Sequence, residues 1–219
     1  MRTIRVTGRG QIKVRPDTTR ITMTLTGLYR EYSETLRRSS EDTEALKDVL
    51  SRFGFKRSDL KTLSFNVDTE YESYRDRNND YKQKFSGYRF KHVLKVEFAS
   101  DNDRLGRVLY ALAGCSVSPE FRISYTVKDP EAAKNLLLGK AVADAKEKAA
   151  VLTNAGGVAL KDIQSIDYSW GEIDFECRPM RKNLLMDYAA LPAAKSYAMD
   201  IEPDDIEVSD TVTIVWEIA

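Results

Sequence analysis

The sequence holds one histidine, two cysteines and no surplus of charge of either sign. Each shortage excludes a class of function. A lone His92 cannot build a multi-histidine metal centre, and with Cys115 and Cys177 far apart it leaves no zinc ligand set. Two cysteines without a Cys-x-x-Cys spacing make no disulfide framework, and two reduced thiols suit a reducing compartment. Lys plus Arg number 34, as do Asp plus Glu, so no net field draws the chain to nucleic acid or anionic lipid. Binding of that kind needs a local patch. No apolar run approaches the roughly 20 residues that span a bilayer. The first residues, Met1 to Val6, alternate and carry charge, so they predict a strand and not a signal peptide. These features together predict a cytoplasmic protein with no membrane span and no cofactor.

What is present suits a folded chain. With 219 residues, 42% of them hydrophobic, it is long enough for one large domain or two small intertwined ones. It is too apolar for global disorder. Strict alternation marks the strands: Ile21, Met23 and Leu25; Leu63, Phe65, Val67, Thr69 and Tyr71; Tyr88 through Phe98; Phe121 through Val127; and Val212, Ile214, Trp216 and Ile218.

Three helices are predicted between them. The first covers about 33–53, with an apolar stripe of Leu36, Leu46, Val49, Leu50 and Phe53 before Gly54. The second covers about 101–113, opened by Ser100 and closed by Gly114. The third has Asp129 as N-cap and Pro130 as first helical residue. Leu138, Val142, Ala145, Ala149 and Leu152 form its inner stripe, and Lys140, Asp144 and Lys148 its solvated face.

This order predicts an α+β fold: a two-layer α/β sandwich of largely antiparallel sheets with helices on one side. Both chain ends read as one-sided strands, and such ends usually need each other. Residues 1–80 with 161–219 are therefore expected to form one lobe, with strand 211–218 in the sheet of the N-terminal strands. Residues 81–160 are expected to form a ferredoxin-like insertion. Residues 72–86 read as a long hairpin loop. Residues 171–205, with three prolines, read as an irregular segment.

Several pieces in order point to a family. Ile4-x-Val6-x-Gly8-x-Gly10 is followed by Arg15-Pro16-Asp17 and an alternating strand; Gly87-Tyr88 opens the long strand. Ala141-x-x-Asp144-Ala145-x-x-Lys148-Ala149-x-x-Leu152 lies on the third helix, and Pro203 with Ile206-x-Val208 precedes the last strand. The set resembles the SIMPL-domain family, long catalogued as a domain of unknown function. The resemblance implies a two-layer α/β protein that assembles into oligomers, some of them large rings, and a link to envelope and oxidative-stress phenotypes. It implies no catalytic residues.

The chemistry available agrees. Gly8-x-Gly10 lacks a third glycine and a following helix, so it predicts a β-bulge or tight turn and not a phosphate loop. His92 alternates with Phe90 and Leu94 and reads as a packed histidine with a hydrogen-bond partner. Cys115 follows a helix C-terminus, the wrong polarity for a thiolate. Cys177, beside Arg178, is the better reactive thiol. Glu202, Asp204 and Asp205 lack calcium-loop spacing.

Residues 71–91 interleave aromatics with bases. Arg75, Arg77, Lys82 and Lys84 form a candidate patch for nucleic acid or another anionic ligand. Met180, Leu184, Leu185, Met186, Tyr188 and Leu191 form a candidate oligomer contact. The leading expectation is a non-enzymatic, self-assembling and stress-associated protein; the alternative is an anion-binding module.

Overall fold

The computed structural model describes residues 2–76, 78–168, 173, 175–177 and 202–219. In chain order the elements are β1 (Arg2–Val14), β2 (Thr18–Tyr29), α1 (Tyr32–Ser51), β3 (Lys61–Arg75), β4 (Tyr81–Ala99), α2 (Asn102–Ala113), β5 (Glu120–Thr126), α3 (Pro130–Gly156), β6 (Leu160–Tyr168), β7 (Glu176–Cys177) and β8 (Ile206–Ile218). The fold is α+β, with antiparallel sheets carrying helices on one face. It divides into two compact units.

The first unit draws its described residues from 2–17, 126–177 and 203–219. β8 is the central strand of the order β1-β8-β6. Its pairing with β1 runs unbroken from Arg2↔Ile218 to Val14↔Ile206, so the C-terminal strand joins the first strand as expected. The second strand, β2, belongs to the other unit.

Helix α3 opens as its sequence predicts. The Asp129 carboxylate accepts the Ala132 N–H at 2.9 Å, Pro130 follows, and Gly157 closes the helix at φ 65°. Its buried stripe is Ala133, Leu137, Ala141, Ala145, Ala149 and Thr153. That is rotated from the expected stripe, and Leu152 is exposed.

The reason lies in β1. A Cβ on Gly8 would overlap the Ala141 carbonyl oxygen, and one on Gly10 would overlap that of Leu137. The glycine pair therefore makes neither bulge nor turn: it opens two windows in a regular strand through which the helix backbone approaches. Beside Gly8 the helix presents Ala141 and Ala145, whose small side chains let the two backbones approach. Val6, Val212, Ile214 and Trp216 complete one core cluster, and Ile12, Leu137, Phe175 and Ile206 belong to another.

The second unit draws its described residues from 18–125, with Glu202. Its elements follow β-α-β-β-α-β, and its strands lie in the order β3-β4-β2-β5. This is the ferredoxin-like arrangement. The insertion therefore spans 18–125 and not 81–160, because β2 pairs along its length with β4, from Thr18↔Ala99 to Tyr29↔Tyr88. Ile21, Met23, Leu25, Phe90, Leu94 and Val96 meet Leu46 and Leu50 of α1 and Leu105, Val108 and Leu112 of α2 in one core.

Helix α1 buries Thr35, Ser39 and Thr43, while Leu36 is exposed. Thr35 and Thr43 donate to the carbonyls of Glu31 and Ser39 at 2.8 Å, so burial leaves neither hydroxyl unsatisfied. The cap of α2 is Asp101, which accepts the Arg104 N–H at 3.0 Å. Ser100 instead accepts from Thr19 at 3.3 Å.

Candidate interaction surface

The segment read from sequence as a loop over 72–86 is a two-stranded ribbon. β3 and β4 stay paired to Arg75↔Tyr81, well beyond Tyr88, where β2 ends. The Asp76 carboxylate accepts the N–H groups of Asn78 and Asp80 at 2.8 and 3.1 Å, and Asn79 adopts φ 68°. Asparagine tolerates this conformation better than most residues. Where the ribbon leaves the sheet, the register shifts between Glu70 and Tyr71. Gly87 there turns to φ 155°, and a Cβ on it would crowd the Tyr29 carbonyl. Such a shift sharpens local twist.

The ribbon has two unlike faces. On one, Tyr71 opposes Phe85, Ser73 opposes Gln83 and Arg75 opposes Tyr81. Ring contacts run edge to face from Tyr71 to Phe85 (6.1 Å), Phe85 to Tyr88 (5.3 Å) and Tyr88 to Tyr32 of α1 (5.4 Å). Arg75 lies 4.5 Å over the Tyr81 ring and donates to Asn79 Oδ1 at 3.0 Å. Tyr81 is 74% exposed, Tyr71 55% and Phe85 42%, so these rings cover little within the chain.

The other face is charged, and its signs are sorted by strand. Asp68, Glu70 and Glu72 lie on β3; Lys82, Lys84, Arg89 and Lys91 lie on β4. Glu72 opposes Lys84. Arg89 donates to Glu70 at 2.9 Å and Lys82 pairs with Asp76 at 2.5 Å. Lys82 holds the Asp76 carboxyl below its ordinary range, and Arg89 does the same for Glu70.

Of the candidate anion-binding residues, Arg75, Lys82 and Lys84 thus lie on this ribbon, but on different faces. Arg75 and Lys82 each have a partner within the chain. Arg77 lies outside the described residues, as do Met180, Leu184, Leu185, Met186, Tyr188 and Leu191.

His92 is held between hydroxyls. Its Nδ1 is 3.1 Å from Thr43 Oγ1 and its Nε2 2.9 Å from Thr62 Oγ1, with the Phe65 ring edge-on at 5.1 Å. Thr43 already donates to Ser39, so Nδ1 carries the proton and Nε2 accepts from Thr62. Burial, and then the charge of Lys47, push its pKa down. Both ring nitrogens are engaged, which suits a packing role. Cys115 is buried and Cys177 half-buried. No three His, Cys, Asp or Glu side chains are placed to share a metal ion among the described residues.

Sequence reasoning placed Asp144 on a solvated face and missed its bond to β1. It accepts the Arg9 backbone N–H of β1 at 2.6 Å and pairs with Lys148 at 2.7 Å, contacts that lower its carboxyl pKa. Lys140 reaches the Gln11 carbonyl at 3.4 Å. The face read as solvated therefore guards the outer edge of β1. The only local signal was the spacing of four between these charges.

The chain matches the SIMPL family, described as a protein of unknown function (DUF541), over residues 4–216, and it belongs to that family. Two similar proteins carry the name 26 kDa periplasmic immunogenic protein, one from Brucella melitensis biotype 1 and one from Brucella abortus strain S19. Each is 24% identical over 215 residues, covering 98% of this chain and 84% of the relative. The crystal structure of the regulatory subunit of aspartate kinase from Thermus flavus aligns over 96% of this chain and 88% of its own, at 10% identity. Its TM-score of 0.17 is too low to bear on the fold.

The periplasmic relatives overturn the expected cytoplasmic placement. The expectation rested on two cysteines that form no framework, on a first segment read as a strand and on the lack of a membrane-spanning apolar run; a chain needing no disulfide folds equally well in an oxidising compartment. No helix among the described residues is long and apolar enough to cross a membrane.

Proposed function

We propose that this chain is a non-enzymatic periplasmic protein that works by binding further copies of itself, with the β3–β4 ribbon as its contact surface. The observation that carries the reading is a ribbon exposing aromatic rings and two strand edges without a partner among the described residues. An isolated two-stranded ribbon is marginally stable in water, and exposed apolar patches of this kind usually mark interaction sites. The engagement of both His92 nitrogens, and the absence among the described residues of three His, Cys, Asp or Glu side chains placed to share a metal ion, support a non-enzymatic role. The printed names of the Brucella relatives support the compartment.

The test is light scattering at tens of micromolar on the natural chain and on a Tyr71→Ser, Phe85→Ser variant. The reading expects an assembled mass for the first and a folded, smaller species for the second. A natural chain that stays monomeric overturns it.

A further inference from the structure

Strand β4 continues from the ribbon into the sheet of the second unit. There its side chains alternate: Leu94, Val96 and Phe98 enter the core with both helices, so Val93, Lys95 and Glu97 face the other way. On β2, Ile21 and Met23 are buried, which turns Arg20 and Thr22 to that same helix-free face. Lys61 of β3 lies directly opposite Lys95, and Thr22 opposes Lys95 from the other side.

Two lysines in facing positions cost stability, because like charges directly opposite repel. Their surroundings relieve them little. Glu97 accepts from Arg20 at 2.6 Å and from Lys95 at 3.0 Å, so one carboxylate serves two cations. Burial raises the Glu97 pKa, but those two bonds outweigh it and hold the carboxyl below its ordinary range. Asp59 accepts the Lys56 N–H at 2.8 Å. No carboxylate among the described residues lies within ion-pair distance of the Lys61 ammonium. The Lys95 side chain is only 24% exposed, so water compensates its charge poorly. Asp59, Lys61, Lys95 and Glu97 line a hollow of about 210 Å³.

Three features set the class of ligand. The hollow is smaller than the roughly 300 Å³ at which pockets for drug-sized molecules begin, so it takes a single small group. Three cations meet two carboxylates that are already engaged, and an ammonium is a point charge suited to phosphate. Finally, this face carries no aromatic ring on β2 or β4, where it presents threonine, arginine, leucine, lysine, valine and glutamate. Four-stranded sheets that read single-stranded RNA stack bases on rings at such positions. The phosphate is therefore recognised without a nucleobase.

We infer that this hollow binds a phosphate group between the ammoniums of Lys61 and Lys95, with the Thr22 hydroxyl beside them. Lys95 has three N–H donors, so it reaches the phosphate while keeping its bond to Glu97. The site lies at the end of β4 away from the ribbon, and it stands whether or not the chain self-assembles.

The experiment heats the natural chain in rising inorganic phosphate, against sodium chloride of matched ionic strength, which screens charge without filling the site. A ligand of the folded state raises the unfolding midpoint with its concentration. The midpoint should rise with phosphate well beyond any rise with chloride. Lys61→Gln breaks no ion pair, and without phosphate its midpoint should equal or exceed the natural one, because the opposed lysines are relieved. Its phosphate affinity should be roughly tenfold weaker, as the loss of one charged hydrogen bond implies. Lys95→Gln gives a second reading of the same loss. Lys91→Gln, on the same face but opposite Thr26 and Asn66, should keep the natural affinity. Co-sedimentation with phosphatidylcholine vesicles carrying phosphatidic acid separates two sources of the group. A shift with inorganic phosphate assigns the site to a soluble phosphate. Vesicle capture without that shift, lost in Lys61→Gln, assigns it to a lipid headgroup. Equal shifts in chloride and phosphate, natural affinity in both Lys61→Gln and Lys95→Gln, or binding in neither arm overturns the site and leaves the self-assembly reading untouched.

Discussion

Strand β1 and the β3–β4 ribbon both present strand edges, and the two are treated in opposite ways. On β1, Asp144 takes the Arg9 N–H and Lys140 takes the Gln11 carbonyl, while Gly8 and Gly10 let α3 lie against the strand backbone. Part of that edge is spoken for inside the chain. On the ribbon, acids and bases satisfy one another across the pair, but no helix or strand covers either edge among the described residues. Native proteins usually blunt or cover edges, since a bare edge recruits other strands. An edge with no cover among the described residues, in a chain that guards another one, reads as a surface kept for use.

The comparison breaks most sharply at the guarded edge. Gly8→Val puts side-chain atoms where the Ala141 carbonyl lies, so α3 must lift off β1. The expected loss is about 3 kcal/mol, the upper range for an overpacked core, read from a urea unfolding curve. A shift within error would mean that the helix seat is loose and the glycine windows incidental. Asp144→Ala comes next. It strips the acceptor from Arg9 N–H while leaving the alanine seam, so the unfolding midpoint should fall by less than in Gly8→Val. Soluble protein should also aggregate with rising concentration. Unchanged solubility and midpoint would mean that the edge needs no guard.

A smaller effect is expected from pH. His92 has a folded pKa below its ordinary value near 6.5 because burial and Lys47 oppose its charge. The unfolded chain therefore takes up the proton first. This contribution is complete above about pH 6.5 and is lost as pH falls through the folded value. Unfolding midpoints at pH 7.5, 6.5 and 5.5 should decline, and His92→Gln should flatten that part of the slope. An equal slope in the variant assigns the decline to carboxylates instead. Least of all should the ribbon affect stability. Tyr71→Ser with Phe85→Ser removes rings that are already about half exposed, so the midpoint should change little even though assembly is lost. A large drop would make the ribbon part of its own fold and not a surface.

Much of this was legible in the residues. Period-two alternation located β2, β4 and β8, and Asp129-Pro130 set the start of α3 where the backbone places it. The ferredoxin-like order was legible as a kind of element sequence but not in its limits. Those depend on β2 pairing with β4 some seventy residues away, which no local pattern encodes. The ribbon was hidden because its strands alternate aromatic with charged residues, a pattern that resembles a polar loop until both strands are aligned. The glycine windows were hidden for the converse reason: Gly8 and Gly10 look like turn signals, and only the alanine seam on α3, more than a hundred residues later, says otherwise. The compartment was not legible, since cysteine count and the reading of Met1 to Val6 as a strand constrain it weakly.

Hydrogen exchange at two protein concentrations tests the central claim most directly, because it reads both edges in one sample. At high concentration the amides of 70–76 and 81–87 should exchange slowly, and on dilution to single chains they should become fast. The Arg9 amide should stay slow at both, held by Asp144 within the chain. Ribbon amides that exchange fast even in an assembled sample, or slowly in the dilute monomer, would contradict the account.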